Sequence, residues 1–342
     1  MKHFPTILTA LLLTLPAAIG ATASSLSRFQ HFVTRQGDKL YDGAKEFRFI
    51  GANMPGLSLP NDCTMKLPQR MTLPTPWEQA DGLKTLDQMN LRVVRIWNLP
   101  IREPHDKPAQ GRMTWHYAQG PGPFNEESFQ ALDHLFALAN RYGIRVVFSL
   151  SDCWRYLGGV ETYAAHRNRQ GKRALFNDPQ VKEDFQQTIR YVLTRRNTVS
   201  GVPYKDDKAI LCWELGNELW DVPYEDFAPL QREMTAFIKS LDPHHLIMDA
   251  RGNVIPGEPD PNVDIVNIHY YGNDFAAGCR NHQAQSRGKR PFVVGEFGPY
   301  DGKGFTPENV VEKTREFLSA VHESGTAGAL LWSVQSPRAT AS

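Results

Sequence analysis

The run Ile144-Arg145-Val146-Val147-Phe148-Ser149 follows Gly143, which closes the amphipathic stretch Glu126 to Tyr142. Val146, Val147 and Phe148 are apolar in succession, whereas a strand with one wet face would alternate. The run therefore reads as a strand buried on both faces, as in a parallel sheet covered by helices. Val93-Val94, inside Leu91 to Trp97, reads the same way. Working outward, the other candidate strands are Phe47 to Ala52, Ala209 to Leu215, Leu246 to Asp249, Val263 to Ile268, Phe292 to Gly295 and Ala327 to Trp332. Helical periodicity falls between strands, at Pro76 to Met89, Pro179 to Thr194, Tyr224 to Leu241 and Pro307 to Ser324. Asp178 before Pro179 and Thr306 before Pro307 each set a capping side chain ahead of a proline at the first helical position, and Gly325 stands where a helix would stop. Short buried strands alternating with amphipathic helices predict an α/β fold, a (β/α)8 TIM barrel. An open doubly wound sheet is the rival, but no GxGxxG or GxxxxGK[ST] loop follows any strand.

The chain has 342 residues, enough for one such barrel, which needs roughly 250. It stops at Ser336-Pro337-Arg338-Ala339-Thr340-Ala341-Ser342, too short and polar for a closing helix after the last strand. The barrel is expected to lack its final helix, and an exposed flank on the first and eighth strands predicts lowered stability or oligomer formation. Long Pro-rich connections, Met54 to Trp77 and Pro100 to Phe124, follow the first two strands and would stand at the mouth where such barrels bind ligands.

Lys plus Arg total 38 against 37 Asp plus Glu, a net charge of +1 that offers no field for nucleic acid or an anionic membrane. The start Met1-Lys2-His3, the apolar stretch Ile7 to Leu15 and small residues through Ala23 read as a signal peptide over residues 1–24, followed by one domain over 25–342. The product is expected to be secreted or periplasmic and free of the membrane once cleaved. Cys63, Cys153, Cys212 and Cys279 allow two disulfides in three pairings, although Cys212 lies in an apolar strand and also suits a buried thiol. No cluster has zinc-site spacing, so neither a metal nor another cofactor is expected.

Chemistry concentrates at two strand ends. Cys212-Trp213-Glu214-Leu215-Gly216-Asn217-Glu218 is an apolar strand ending in an Asn-Glu pair, and Pro291-Phe292-Val293-Val294-Gly295-Glu296-Phe297-Gly298 is another ending in one carboxylate. They fall on the fourth and seventh candidate strands, whose ends share one barrel mouth. A lone strand-end glutamate is as often an ion-paired scaffold residue. Two in matching contexts suit glycoside hydrolysis, where one carboxyl protonates the leaving oxygen and the other attacks the anomeric carbon or activates water. Glu214, inside its strand, reads as a buried structural partner. Trp97 and Trp154 close the ends of the second and third strands and present faces for stacking on pyranose rings, or else complete the core. Trp115 and Trp220, in loops, are candidates for outer subsites.

These motifs resemble glycoside hydrolase family 5, within the clan of retaining (β/α)8 glycosidases, from about Phe47 to Trp332. The resemblance implies Glu218 as acid/base and Glu296 as nucleophile, with retention and no cofactor. Asn217-Glu218 matches the family's Asn-Glu pair, and Arg95 in Val94-Arg95-Ile96 matches the arginine beside the nucleophile. His269 and Tyr271 in His269-Tyr270-Tyr271 match its His-x-Tyr, and Trp332 matches the tryptophan under the bound sugar. On this reading Arg95 holds Glu296 ionised, Asn217 bonds the sugar 2-hydroxyl, and Glu218 starts protonated.

Where many relatives carry His-Asn after the third strand, this chain reads Ser151-Asp152-Cys153-Trp154, followed by Leu157-Gly158-Gly159. That pattern and the opening Phe47-Arg48-Phe49-Ile50-Gly51-Ala52-Asn53 resemble mannan-cleaving relatives. A β-linked oligo- or polysaccharide is the expected partner, with β-1,4-mannan cut internally as the leading substrate. β-1,4-Glucan, exo action and a non-catalytic sugar-binding barrel stay open.

Overall fold

The computed structural model describes residues 27–59, 73–97, 99–104, 117–118, 120–154, 158–252, 259–271, 274–298 and 304–335. Eight parallel strands share one sheet: β1 Phe49–Asn53, β2 Val93–Ile96, β3 Arg145–Ser149, β4 Ile210–Glu214, β5 Leu246–Met248, β6 Val266–Tyr270, β7 Phe292–Phe297 and β8 Gly328–Leu331. β8 pairs with β1, Gly328 opposite Phe49 and Leu331 opposite Ala52. The sheet's two edges, β5 and β6, meet where Met248 bridges Ile265 and the Asp249 amide donates to the Ile265 carbonyl at 2.9 Å. The result is the nearly closed (β/α)8 barrel that the alternating runs predict.

The unbroken apolar strands are explained by two dry faces. Val94, Ile96, Val146 and Phe148 pack outward on Leu83, Phe129, Leu132 and Phe136, while Val93, Val147, Val293 and Leu330 fill the barrel interior. Around the strands run α1 Pro76–Gln88, α2 Glu126–Tyr142, α3 Val160–His166, α4 Arg173–Asn177, α5 Pro179–Thr194, α6 Tyr224–Leu241, α7 Phe275–Ser286 and α8 Val310–Ser324. None is long and apolar enough to cross a membrane. Asp178 caps α5 by accepting from the Gln180 and Val181 amides, and Gly143 ends α2 at a φ of 71°.

Several elements differ from the sequence reading. α8 starts at Val310, because the Thr306 carbonyl accepts from the Asn309 and Val310 amides and residues 307–309 form a turn. β6 lies two to three residues later than expected, which brings His269 into the strand. α7 was not foreseen: its mix of small and polar residues carries little periodicity, and its start is set by Asp274 accepting from Ala277. The short α3 and α4 were likewise missed, and no helix separates β5 from β6 among the described residues. A small antiparallel sheet, Val33–Gln36, Lys39–Asp42 and Lys45–Glu46, was also unforeseen. It covers the N-terminal end of the barrel, where Val33 and Leu40 join the interior cluster. Arg145, at the start of β3, ties that end together by donating to Asp42 and the His31 carbonyl.

Cys153, Cys212 and Cys279 are free and buried, so the thiol reading of Cys212 holds and no two of these three are joined; Cys63 lies outside the described residues. Residues 1–24, read as a signal peptide, Trp115 and residues 336–342, on which the expectation of an absent final helix rests, lie outside them too. On the flank in question, Ile50 and Leu331 are partly buried.

β1 and β2 approach too closely for a side chain at Gly51, whose added Cβ would lie 2.1 Å from the Val93 carbonyl oxygen and 2.7 Å from Leu330 Cδ2. Gly51→Ala should destabilise the fold by about 1–3 kcal/mol through overpacking, read as a lower urea midpoint at unchanged slope. An unaltered midpoint would mean that β1 and β2 are not packed as described.

Candidate active site

The barrel's C-terminal mouth is organised around Arg95, near the end of β2 and only 2% exposed. Its Nε donates to Glu214 Oε2 at 2.9 Å, and Nη1 donates to Asn53 Oδ1 at 3.1 Å and Glu296 Oε1 at 2.9 Å. Nη2 donates to Asn217 Oδ1 at 2.8 Å and lies 2.8 Å from Glu214 Oε2. One guanidinium thus links the ends of β1, β2, β4 and β7. Burial works against the cation, but Glu214 and Glu296 outweigh it and raise the Arg95 pKa. Glu214 is fully buried and also accepts from Asn267 at 3.2 Å, the structural part its mid-strand position predicts.

Glu296 is aimed inward by a local irregularity. The pairing register of β7 with β6 shifts between Val294 and Glu296, and a bulge of this kind re-aims the next side chain. Gly295 permits it, because a Cβ there would lie 2.4 Å from Asn267 Oδ1 and 2.9 Å from His269 Nε2. Arg95 then holds one oxygen of Glu296, and the Tyr271 hydroxyl donates to the other. Burial and the Glu296 charge push the Tyr271 phenol up, keeping it a donor.

Glu218 reaches the mouth by a different device. It follows β4 with φ 54°, a left-handed conformation that few residues other than glycine adopt. Such outliers gather at functional sites. Oε2 accepts from the Trp154 indole at 2.7 Å, and Oε1 lies 2.8 Å from His269 Nδ1. His269 stands between the two carboxylates, 3.6 Å from Glu296 Oε2, and one oxygen of Glu218, one of Glu296 and a ring nitrogen of His269 all fall within 4.8 Å of each other. Oxygens this close suit the roughly 5–5.5 Å between the carboxyl groups of retaining glycosidases.

The aromatic residues divide. Trp332 directly follows β8, is partly buried and packs on Trp97 with ring centroids 5.0 Å apart. Trp97 is itself buried, so it backs Trp332 and leaves little of its own face open to a sugar. Trp154 is 43% exposed and meets Trp220, 44% exposed, edge to face at 6.3 Å beside Glu218. Asn217 is placed between Arg95 and Asp152. The candidates Arg95, Asn217, Glu218, His269, Tyr271, Glu296, Trp97, Trp154 and Trp332 therefore come from the ends of β2, β3, β4, β6, β7 and β8 to one end of the barrel. Asn53, Asn267 and Asp152 were missed as site residues, since an isolated amide or acid at a strand end carries no periodic signal.

A model of the glycoside hydrolase family 5 β-mannosidase-like group matches residues 30–255. The chain belongs to glycoside hydrolase family 5. Among its family 5 relatives, mannan endo-1,4-beta-mannosidase 8 of Oryza sativa subsp. japonica is 30% identical over 284 residues, 64% of this chain and 75% of that protein. Mannan endo-1,4-beta-mannosidase 4 of Solanum lycopersicum is 29% identical over 277 residues, 65% of this chain and 69% of that one. The family 5 barrel is matched by the endo-1,4-beta-mannanase structure from Rhizomucor miehei, with a TM-score of 0.72, 20% identity and 88% and 90% of the two chains covered.

Arg95→Met should strand Glu214 and Glu296 as buried, uncompensated acids. The expected loss is about 3–5 kcal/mol in urea unfolding at neutral pH, and a loss below about 1 kcal/mol would show that the guanidinium does not carry this mouth.

Proposed function

We propose that the protein is a retaining endo-β-1,4-mannanase in which Glu296 is the nucleophile and Glu218 the acid/base. The observation that supports the roles best is the unequal dressing of two carboxylates that stand within 4.8 Å of one another. Both acids are bonded at both oxygens, but Glu296 is buried against the Arg95 cation and the Tyr271 hydroxyl, whereas Glu218, held by His269 and the Trp154 indole, is partly exposed. In the first step a Glu296 oxygen bonds to the anomeric carbon, the glycosidic bond breaks, and Glu218 gives its proton to the departing oxygen. In the second, water attacks that carbon and passes a proton to Glu218 while Glu296 departs. Asn217, with its amide oxygen on Arg95, keeps an amide hydrogen for the sugar 2-hydroxyl. Mannan is the substrate suggested by the names of the relatives, and residues 1–24, read as a secretory leader, suit an enzyme that meets a polymer outside the cell.

The first step needs Glu218 in its acid form. Burial raises its pKa, but the bonds and charge of His269, together with the Trp154 indole, bring it net below the ordinary carboxylate value in the substrate-free site. A bound sugar displaces water and strengthens the burial effect, moving Glu218 toward the acid form its first task needs.

Reducing-sugar release from mannan should fall by at least about a hundredfold in both Glu218→Ala and Glu296→Ala. Wild type should yield mixed oligomers early. Release of monomer or dimer alone would defeat endo action, and a folded wild type inactive on mannan would defeat the substrate. The pH dependence has a definite sign. kcat/KM falls as pH rises through the pKa of Glu218 in the free enzyme, and Trp154→Phe removes a donor that favours its ionised form. The alkaline limb of kcat/KM should therefore move to higher pH in Trp154→Phe, and an unmoved limb would show that the indole does not tune this acid.

A further inference from the structure

We propose that Asp152 is a positioning residue for the acid/base, acting at once through Asn217 and Trp154. The inference rests on the proposed role of Glu218. Asp152 follows β3 and is completely buried. Its backbone bridges Asn217, with the Asn217 amide donating to the Ser151 carbonyl at 2.9 Å and the Cys153 amide to the Asn217 carbonyl at 3.0 Å. Its side chain repeats the link, because Oδ1 accepts from Asn217 Nδ2 at 3.1 Å and from the Trp154 backbone amide at 3.1 Å.

Each of these bonds fixes a neighbour of Glu218. Asn217 precedes Glu218 in the chain, and with its amide oxygen on Arg95 and its nitrogen on Asp152 the amide can point only one way. Trp154 carries the indole that donates to Glu218 Oε2. A single carboxyl oxygen thus anchors both sides of the acid/base, from an element where this chain departs from the commoner His-Asn.

Asp152 does this as a neutral acid. Its Oδ2 is buried with no partner among the described residues, an arrangement costly for a carboxylate and far less so for an uncharged acid. The charged groups facing it are Arg95 from β2, which favours ionisation, and Glu218 beyond β4, which opposes it; the adjacent Cys153 thiol is itself pushed up by burial. Burial dominates and raises the Asp152 pKa to about 8 despite both hydrogen bonds. A neutral carboxylic acid has the shape of an asparagine side chain, so asparagine should replace it.

The test compares kcat/KM on a β-1,4-mannan oligosaccharide with that on a dinitrophenyl β-mannoside, whose leaving group departs without a proton. Asp152→Leu should lose about 10–100-fold on the oligosaccharide, within the range that general acid catalysis supplies, and at least about fivefold less than that on the aryl substrate, where only the Asn217 contact with the 2-hydroxyl is disturbed. Asp152→Asn should restore oligosaccharide cleavage to within about threefold of wild type, on the same scale. Equal losses on both substrates, or no recovery with asparagine, would overturn the proposal. Wild type inactive on both would sink the glycosidase reading and this proposal with it.

A melting series covers a leucine variant that does not fold. The raised folded pKa means that the stability Asp152 contributes is complete below its unfolded pKa of about 4 and is lost as pH rises through about 8. Asp152→Asn should gain on wild type by several degrees between pH 4 and 8 and hold that margin above. A margin flat with pH would overturn the neutral-acid form.

Discussion

Everything at the mouth depends on keeping one cation dry. Arg95 is enclosed at the end of β2, where its charge would be prohibitive without Glu214 and Glu296 to meet it. Its donors reach the ends of three other strands, so the positions of Asn53, Asn217 and Glu296 become one property of one planar fork. A lysine could not do this, because a single ammonium lacks the geometry to hold separate acceptors at fixed angles. Glu214 supplies the second negative charge and is itself steadied by Asn267, which also donates to the Asp249 carbonyl near the weakly bonded β5–β6 junction.

Around that fork the two carboxylates are delivered by different backbone devices. Glu296 is turned inward by a register shift that a side chain at Gly295 would obstruct, whereas Glu218 sits in a left-handed conformation just beyond its strand. The devices have different consequences. A bulge inside a paired strand leaves Glu296 held from both sides, and a residue past the strand's end leaves Glu218 to be placed by its neighbours. His269 stands within reach of both carboxylates.

The fold was legible where burial imposes periodicity. α2, α5 and α6 fall at the predicted residues, and all eight barrel strands lie within a few residues of the predicted runs, because a strand dry on both faces must be apolar throughout. α7 and the small N-terminal sheet escaped because their residues are small, polar or half-exposed and so carry no such demand. At the mouth, Glu218 and Glu296 stood out as acids ending apolar runs, while Asn53, Asn267 and Asp152 did not.

Residue type and spacing by themselves determined the barrel and the two acids, since alternation and strand order follow from which positions must avoid water, and Arg95, Asn217, His269, Tyr271 and Trp332 came from the motifs that resemble family 5. Tertiary structure alone decided the distance between the acids, the burial of Trp97 beneath Trp332, the low pKa of Glu218 and the high one of Asp152. The physical reason is common to all four. Each depends on which groups from distant strands lie within a few ångströms, and electrostatic and packing energies change steeply over that range, where the order of residues along the chain carries no measure of distance.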